Sequence, residues 1–150
     1  MSIKFYATGD LYGEFSNFAL FPFKLDGKIW LTSEHYFQAQ KFVDEAYREK
    51  IREAKSPLIA AWLGRSRTVP LRPDWEDIKT DVMRRAVRAK LEAHEELIRT
   101  LLSTSNQEII EDAKGDSFWG CGVNGKGKNW LGKILMEIRD ELRQHADLET

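Results

Sequence analysis

Hydrophobic and polar positions with a helical repeat occupy most of the chain after residue 30. Before that point, over residues 3–30, turn residues alternate with short apolar or aromatic runs. Apolar residues that recur every three or four positions predict amphipathic helices, whereas short apolar runs bounded by turn residues predict strands. The pattern therefore predicts a mainly α protein with a minor β part (α+β minor), organised as a single compact helical domain with a small N-terminal β-hairpin.

The β-hairpin is predicted from an Asp-Gly pair. Asp26 and Gly27 separate two short apolar segments at residues 21–25 and 28–30. A type I′ turn needs positive φ at both central residues, which Asp-Gly tolerates well. A further strand is predicted at residues 3–6. No regular alternation of strands and helices follows, so the pattern gives no support for a parallel sheet.

Capping and breaking residues bound the predicted helices. Thr32 or Ser33 can cap the first helix. Ser56 can cap the second, Pro57 stands at its first position, and it should end near a capping Gly64. The predicted helices span residues 33–54, 57–64, 74–94, 95–102, 105–113 and 129–143, and the last is predicted to bury Leu131, Ile134, Leu135, Ile138 and Leu142. Residues 144–150 are predicted to be a polar C-terminal tail. One domain over residues 1–150, with its core at about 4–143, is expected.

The first turns of the first helix carry candidate chemistry. Glu34, Gln38 and Lys41 share one helical face, and aromatic residues surround that face in the first turns. If those turns are buried, Glu34 and Lys41 form a carboxylate and an amine in partly dry surroundings, where pKa values change. The alternative is a solvated stripe that continues through Glu45 and Arg48 as spaced charge pairs. Periodicity leaves both interpretations open.

The glycine-rich loop at residues 115–129 resembles two nucleotide-binding motifs as text. The G-x-G-x-x-G pattern from Gly120 needs a preceding strand, and none is predicted. The P-loop-like pattern ending at Lys128 also lacks that strand, and Asn129 stands where Ser or Thr would hold magnesium. Both motifs are therefore rejected. Lys126, Lys128 and the following helix N-terminus could still hold a single phosphate; the alternative is a glycine-rich surface turn.

Two tryptophans stand beside acidic residues. Trp75 lies next to Asp74 and near Asp77, and Trp119 follows Asp116 by three positions. Indole rings stack on flat heterocycles and sugars. The alternative for each tryptophan is an ordinary place in the hydrophobic core.

Composition narrows the class of protein. The chain has 150 residues and a net charge of −1, so no global basic field exists to hold nucleic acid. The single cysteine, Cys121, excludes an internal disulfide and fits a reducing compartment. The three histidines have no ligand spacing, so no metal site is predicted. We see no secretory leader and no apolar run long enough to span a bilayer, and therefore expect a cytoplasmic protein.

Several motifs, in order and at family spacing, resemble the YbiA/NADAR family over about residues 4–143. The segments that carry the resemblance are 15–18, 30–42, 56–57, 63–65, 70–75, 82–83 and 119–132. Leu31 departs from the pattern, since proline is expected there in many members. The resemblance covers nearly the whole chain and is far more specific than any single motif.

The resemblance implies an N-glycosidase. Within the family, the chain is similar to the enzyme that cleaves ribosylamino-pyrimidine 5′-phosphates of riboflavin biosynthesis to a free base and ribose 5-phosphate, in the service of metabolite damage control. Other members remove ADP-ribose from guanine bases, and only that activity would make nucleic acid a partner. A third alternative is a non-catalytic module that binds ADP-ribose or NAD. The implied substrate is a small phosphorylated ribosylamine, no cofactor is expected, and the oligomeric state stays open.

The resemblance also implies site residues. Glu34, Asp116 and Lys41 are the implied catalytic residues. We expect Glu34 and Asp116, although far apart in sequence, to line a common pocket. The implied substrate-binding residues are Asn17, Phe18, Trp75, Trp119, Gly120, Lys126, Lys128 and Asn129.

Overall fold

A computed structural model describes the backbone of residues 1–149 and the side chains of residues 1–146. Within them the strands are β1 (Ser2–Phe5), β2 (Phe23–Leu25), β3 (Lys28–Trp30) and β4 (Glu108–Glu111). The helices are α1 (Ser33–Ala39), α2 (Glu45–Arg52), α3 (Pro57–Gly64), α4 (Trp75–Ala93), α5 (Glu95–Ser103) and α6 (Trp130–Glu149). The fold class is mainly α with a small β part, as predicted.

The chain forms two compact units. The first unit combines Met1–Ser16 with the chain from His94 onward, and the second unit is Asn17–Ala93. The first therefore holds β1, β4, α5 and α6, and the second holds the hairpin and α1 to α4.

Helix α1 lies at the centre of the second unit. It packs against α2, α3, α4 and β3, and every one of its side chains is buried. Thr32 caps it by accepting a hydrogen bond from the His35 N–H at 3.2 Å. The edge of the Tyr36 ring meets Trp30, with 5.1 Å between centroids. Of the two interpretations that the sequence left open, the buried one is therefore correct for the first turns, and a solvated stripe through Glu34 is wrong.

The hairpin that precedes α1 is confirmed. Phe23 pairs with Trp30 and Leu25 pairs with Lys28 in an antiparallel ladder. Asp26 has φ of 54° and Gly27 has φ of 79°, the two positive values that a type I′ turn requires. The turn brings the chain back so that β3 leads directly into the cap of α1.

The prediction of one helix over residues 33–54 is wrong, because the chain breaks between α1 and α2. Phe42 leaves the helix and forms an isolated antiparallel bridge with Leu71. Asp44 then caps α2 by accepting from the Tyr47 N–H at 2.8 Å. The helical spacing of apolar residues continues across the break, so periodicity alone could not reveal it.

Helix α3 begins as predicted, with Pro57 in its first turn and Ser56 accepting from the Ile59 N–H at 3.2 Å. It ends at Gly64, but that glycine does not adopt the left-handed conformation of a C-terminal cap. Instead the side chain of Gln38 lies over it, and a Cβ on Gly64 would stand 1.9 Å from Gln38 Oε1. This glycine is needed for close packing rather than for its backbone freedom.

The first unit corrects two expectations: the helix over residues 105–113, and the lack of support for a parallel sheet. Residues 105–113 do not form a helix: β4 runs there and pairs in parallel with β1, Ile3 opposite Ile109. Ser105, with φ of 56°, ends α5 in a left-handed turn. The β-branched Ile109 and Ile110 favour a strand, and Ile109 is buried. Partner strands so distant in sequence leave no local signal.

Helix α6 packs on β4 and α5. It buries four residues of the predicted apolar stripe, Leu131, Ile134, Leu135 and Ile138. The fifth, Leu142, is only half-buried. It extends past the predicted end at residue 143 to Glu149, so the expected tail at 144–150 falls largely on this helix, and Thr150 lies outside the described residues. No helix in the described part of the chain combines the length and apolarity needed to cross a bilayer.

Candidate functional site

Glu34 is a buried carboxylate in the first turn of α1. Its residue is 9 % exposed, and its backbone N–H donates to the Asn17 carbonyl at 3.2 Å. The Gln38 side-chain amide, one turn later, donates to Glu34 Oε2 at 3.2 Å. The cap at Thr32 fixes where the helix begins and so fixes the direction of Glu34, whose negative charge is favoured at the helix N-terminus.

Asn17 is buried beside the start of α1. Its Oδ1 accepts from the Ser33 hydroxyl at 2.7 Å, and its Nδ2 donates to Met83 Sδ at 3.4 Å. The side chain therefore connects the loop before β2 to both α1 and α4. The next residue, Phe18, is exposed. Both were predicted to bind substrate; Asn17 has a visible positioning role for α1, and the binding role of both stays a prediction.

Lys41 follows the end of α1 and is only half-buried. Its Nζ lies 5.7 Å from the centroid of the Phe37 ring, and its carbonyl accepts from the Arg72 N–H at 2.8 Å. Burial lowers the pKa of the Lys41 ammonium, the Glu34 carboxylate opposes that shift, and Arg67, Arg65 and Lys79 lower it further. The structure thus brings the predicted carboxylate and amine within mutual electrostatic influence.

Trp75 supports this arrangement from the core. Its ring meets Phe37 edge-on, with 5.0 Å between centroids and 61° between planes. At 6 % exposure it is a core aromatic, so it presents little open surface for stacking. Phe37 in turn lies beneath the Lys41 ammonium. The structure therefore gives Trp75 a visible part in positioning Phe37, and its predicted contact with substrate stays a prediction.

Gln38 is a residue that the sequence placed on the Glu34 face but not in the site. Its Nε2 reaches Glu34, while its Oε1 is buried with no hydrogen-bond partner among the described residues. A buried unpaired acceptor next to a carboxylate is costly unless a ligand or water serves it. The cations Arg65, Arg67 and Lys79 were also missed, because they become neighbours of Lys41 only through the fold.

The glycine-rich loop belongs to the first unit. Asp116 Oδ1 accepts from the Phe118 and Trp119 N–H groups at 2.9 and 2.8 Å, so this carboxylate shapes its own loop. Trp119 is half-buried and meets Phe118 edge-on at 4.8 Å. Gly120 is tightly enclosed, since a Cβ there would stand 2.7 Å from the Ala113 side chain.

The loop predicted to hold a phosphate contains one residue, Asn129, whose side chain already bonds to the backbone of the fold. Asn129 has φ of 52°, and its side chain accepts from the Glu111 N–H at 3.0 Å and donates to the Ile109 carbonyl at 2.8 Å. Both its polar atoms thus hold β4. Lys126 and Lys128 are exposed, the latter with Nζ 5.5 Å from the Phe118 ring centroid. A strand, β4, does precede the loop, so the stated ground for rejecting the nucleotide motifs was wrong. The missing Ser or Thr at 129 still argues against a P-loop.

The predicted site residues therefore divide between the two units. Asn17, Phe18, Glu34, Lys41 and Trp75 lie in the second unit. The others lie in the first: Asp116, Trp119, Gly120, Lys126, Lys128 and Asn129. A common pocket for Glu34 and Asp116 stays a prediction.

Cys121 lies in the glycine-rich loop. Cys121 is buried and donates to Asp112 Oδ1 and the Gly122 carbonyl, each at 3.4 Å. Burial, followed by the Asp112 carboxylate, raises the pKa of its thiol, which disfavours the reactive thiolate. Among the described residues, no three His, Cys, Asp or Glu side chains cluster closely enough to hold a metal ion.

Comparison with known proteins places the chain in a family. The NADAR domain matches residues 4–143. The chain is 57 % identical over 140 residues to N-glycosidase YbiA of Escherichia coli (strain K12), covering 93 % of this chain and 88 % of that protein. It is 41 % identical over 144 residues to a riboflavin biosynthesis protein of Vibrio vulnificus (strain YJ016), covering 96 % of this chain but 39 % of that one.

The fold agrees with this placement. The solution NMR structure of the E. coli protein YbiA is similar with a TM-score of 0.91 at 54 % identity, over 100 % of this chain and 90 % of that one. Together, the matched residues, the sequence identities and the shared fold show that this chain belongs to the NADAR domain family.

Proposed function

We propose that this protein hydrolyses the N-glycosidic bond of ribosylamino-pyrimidine 5′-phosphates, releasing ribose 5-phosphate and the free base. The relatives named N-glycosidase support the reaction class, hydrolysis of N-glycosyl bonds. The relatives named riboflavin biosynthesis proteins support this choice of substrate. One structural observation carries the proposal: a buried carboxylate, Glu34, acts electrostatically on a half-buried amine, Lys41.

The chemistry of N-glycoside cleavage requires such a carboxylate. When the C1′–N bond breaks, positive charge develops on the sugar as an oxocarbenium-like species. A carboxylate already fixed at that position stabilises the charge without reorganisation. Thr32, Asn17 and Gln38 hold the first turn of α1 so that Glu34 has little freedom to move. Water then bonds to C1′, and its proton goes to the departing amine.

The Lys41 amine provides a second reactive group close enough to Glu34 to interact with it electrostatically. Burial, Arg67, Arg65 and Lys79 lower its pKa, which raises the fraction of neutral amine at a given pH. A neutral amine can attack C1′ of the open sugar and form an imine, with loss of the base and later hydrolysis. A protonated Lys41 would instead bind the phosphate or another anionic group. In our proposal Asp116 shares the acid/base work with Glu34.

Replacement of Glu34 by its isosteric amide tests the role of the carboxylate. We expect Glu34→Gln to lower kcat/KM for ribose 5-phosphate release by roughly 10²–10⁴-fold, the usual contribution of one acid–base group. Glu45→Gln is the matched control, because it removes the same charge from an exposed first-turn position on α2. Thermal melts of both variants check the fold. Undiminished turnover by Glu34→Gln would contradict the proposal, and tight binding without turnover by the wild type would indicate a sensor.

Borohydride trapping separates the two roles of Lys41. Reduction of an imine by sodium borohydride during turnover would leave the sugar attached to Nζ of Lys41, detected by peptide mass spectrometry. Lys41→Gln should give no adduct, while the exposed Lys55→Gln should give the wild-type amount. If the wild type yields no adduct while turnover proceeds, Lys41 acts only as a charge.

A further inference from the structure

A cavity of about 430 Å³ lies in the second unit beside α2 and α3. Its lining side chains come from α2, from α3 and from the segment that follows α3: Tyr47, Lys50, Trp62, Leu63, Arg65, Ser66 and Thr68. Cavities that bind small molecules usually measure about 300–1,000 Å³. None of the residues lining this one was assigned to substrate by the sequence.

The lining contains two aromatic side chains, of which Trp62 is strongly exposed. Trp62, in the last turns of α3, is 65 % exposed, although a free indole face in water is unfavourable. Tyr47 is held in place, since its hydroxyl donates to the Leu63 carbonyl at 2.5 Å and its ring meets Phe42 edge-on at 4.8 Å. An exposed indole next to a fixed phenol offers a stacking surface for a planar ring.

The polar part of the lining is positively charged. Neither Lys50 nor Arg65 forms an ion pair with an acidic side chain in the described part of the chain; Lys50 Nζ lies 6.0 Å from the Tyr47 ring centroid. Ser66 and Thr68 hydroxyls bond each other at 2.9 Å and can rotate to donate to an anion. Two cations without acidic partners and two hydroxyl donors match the needs of a phosphate group.

We propose that this cavity is a binding site for a planar heterocycle that carries a phosphate, such as a nucleoside monophosphate. The ring stacks on Trp62, and the phosphate is held by Lys50, Arg65 and the hydroxyls of Ser66 and Thr68. The proposal does not depend on the hydrolytic reaction. Arg65 is a shared charge, since it also acts on Lys41, so an anion in the cavity weakens its influence on that amine.

Calorimetric titration of the full chain with AMP tests the site, with adenosine and inorganic phosphate as partial ligands. We expect AMP to bind more tightly than either part. Trp62→Leu should weaken AMP binding by about tenfold or more, because stacking of one base on an aromatic side chain has that effect. Trp62→Phe keeps a planar ring and should lose less. Lys50→Ala should weaken AMP but not adenosine.

Lys55→Ala is the matched control for lost charge, because Lys55 is exposed, follows α2 and does not line the cavity. Its affinity for AMP should equal that of the wild type. Glu34→Gln should also bind AMP normally, which separates this site from the hydrolytic one. Absence of AMP binding, or binding that Trp62→Leu leaves unchanged, would overturn the proposal. Equal losses in Lys50→Ala and Lys55→Ala would do the same, since they would indicate attraction by net charge alone.

Discussion

Gly64→Ala probes how the end of α3 holds the face of α1 that carries Glu34 and Gln38. A Cβ at residue 64 would stand 1.9 Å from Gln38 Oε1 and 2.7 Å from Gln38 Cδ. Gln38 is buried and bonded to Glu34, so it can yield only by breaking that bond or by shifting the helix. In an unobstructed helix the same substitution would stabilise the protein by up to about 1 kcal/mol. The contact therefore reverses the expected sign.

The magnitude follows from the packing. Forcing an extra methyl into a filled interior costs about 1–3 kcal/mol, which leaves a net loss of up to about 2 kcal/mol after the helical gain of about 1 kcal/mol. For a chain of this size the melting temperature should fall by up to roughly 8 °C. Ribose 5-phosphate release should also decline, because displacement of Gln38 frees Glu34.

A double-mutant cycle isolates the contact. In a Gln38→Ala background the atoms that the new Cβ would strike are gone, and the remaining Cβ at residue 38 lies 3.2 Å away. Gly64→Ala should then be neutral or stabilising, and the coupling energy should equal the steric cost of about 1–3 kcal/mol. Urea and thermal unfolding of the four proteins provide the measurement. If Gly64→Ala raises the melting temperature by the same amount in the wild type as in the Gln38→Ala variant, the packing argument is refuted.

Two further predictions concern His35 and Asn129. Burial lowers the pKa of His35, although its hydrogen bond to the Ala54 carbonyl opposes this; the unfolded chain then binds the proton more tightly, so stability should fall as pH decreases below about 6.5. The urea midpoint of unfolding, measured over about pH 4–8 so as to cover the titration of histidine, should fall with decreasing pH less steeply in His35→Gln than in the wild type. Parallel curves for the two proteins would argue against His35 as the cause. Asn129→Gly keeps the positive φ but loses the two side-chain hydrogen bonds, which should lower the free energy of unfolding by about 1–3 kcal/mol. Asn129→Ala loses the same two bonds and should cost about 1–2 kcal/mol more, because alanine is strained in the left-handed conformation. Unfolding free energies should rank wild type above Gly above Ala, and an equal loss in both variants would exclude the backbone contribution.

Neutral His35 explains why the end of α2 lies against the start of α1. Its Nε2 lies 2.9 Å from the Ala54 carbonyl and its Nδ1 lies 2.8 Å from Thr32 Oγ1. A carbonyl only accepts, so Nε2 carries the proton and Nδ1 accepts from the Thr32 hydroxyl. The same hydroxyl oxygen accepts from the His35 N–H. The cap of α1, and with it the position of Glu34, a predicted site residue, therefore depend on a histidine that the sequence did not distinguish from the others.

Local signals in the sequence were sufficient wherever a residue acts on its neighbours in the chain. The Asp-Gly turn, the Ser56 cap, Pro57 and four of the five stripe residues of α6 each specify structure within a few positions, and each was predicted. Thr32 was one of two predicted candidates for the cap of α1. The aromatic surroundings of Glu34 favoured burial of the first turns of α1, because so many large apolar side chains cannot all face water, but the spacing of the charged residues left a solvated stripe equally open.

Tertiary structure alone decided the features that depend on distant partners. Phe42 leaves its helix to pair with Leu71, and β4 exists because β1 offers it a parallel partner more than one hundred positions away. The same holds for the electrostatics of the site: Arg65, Arg67 and Lys79 act on Lys41 only because α3 and α4 pack against α1. Sequence determines the periodicity and the caps, whereas the pairing of backbone groups and the pKa of a buried amine depend on what the folded chain places around them.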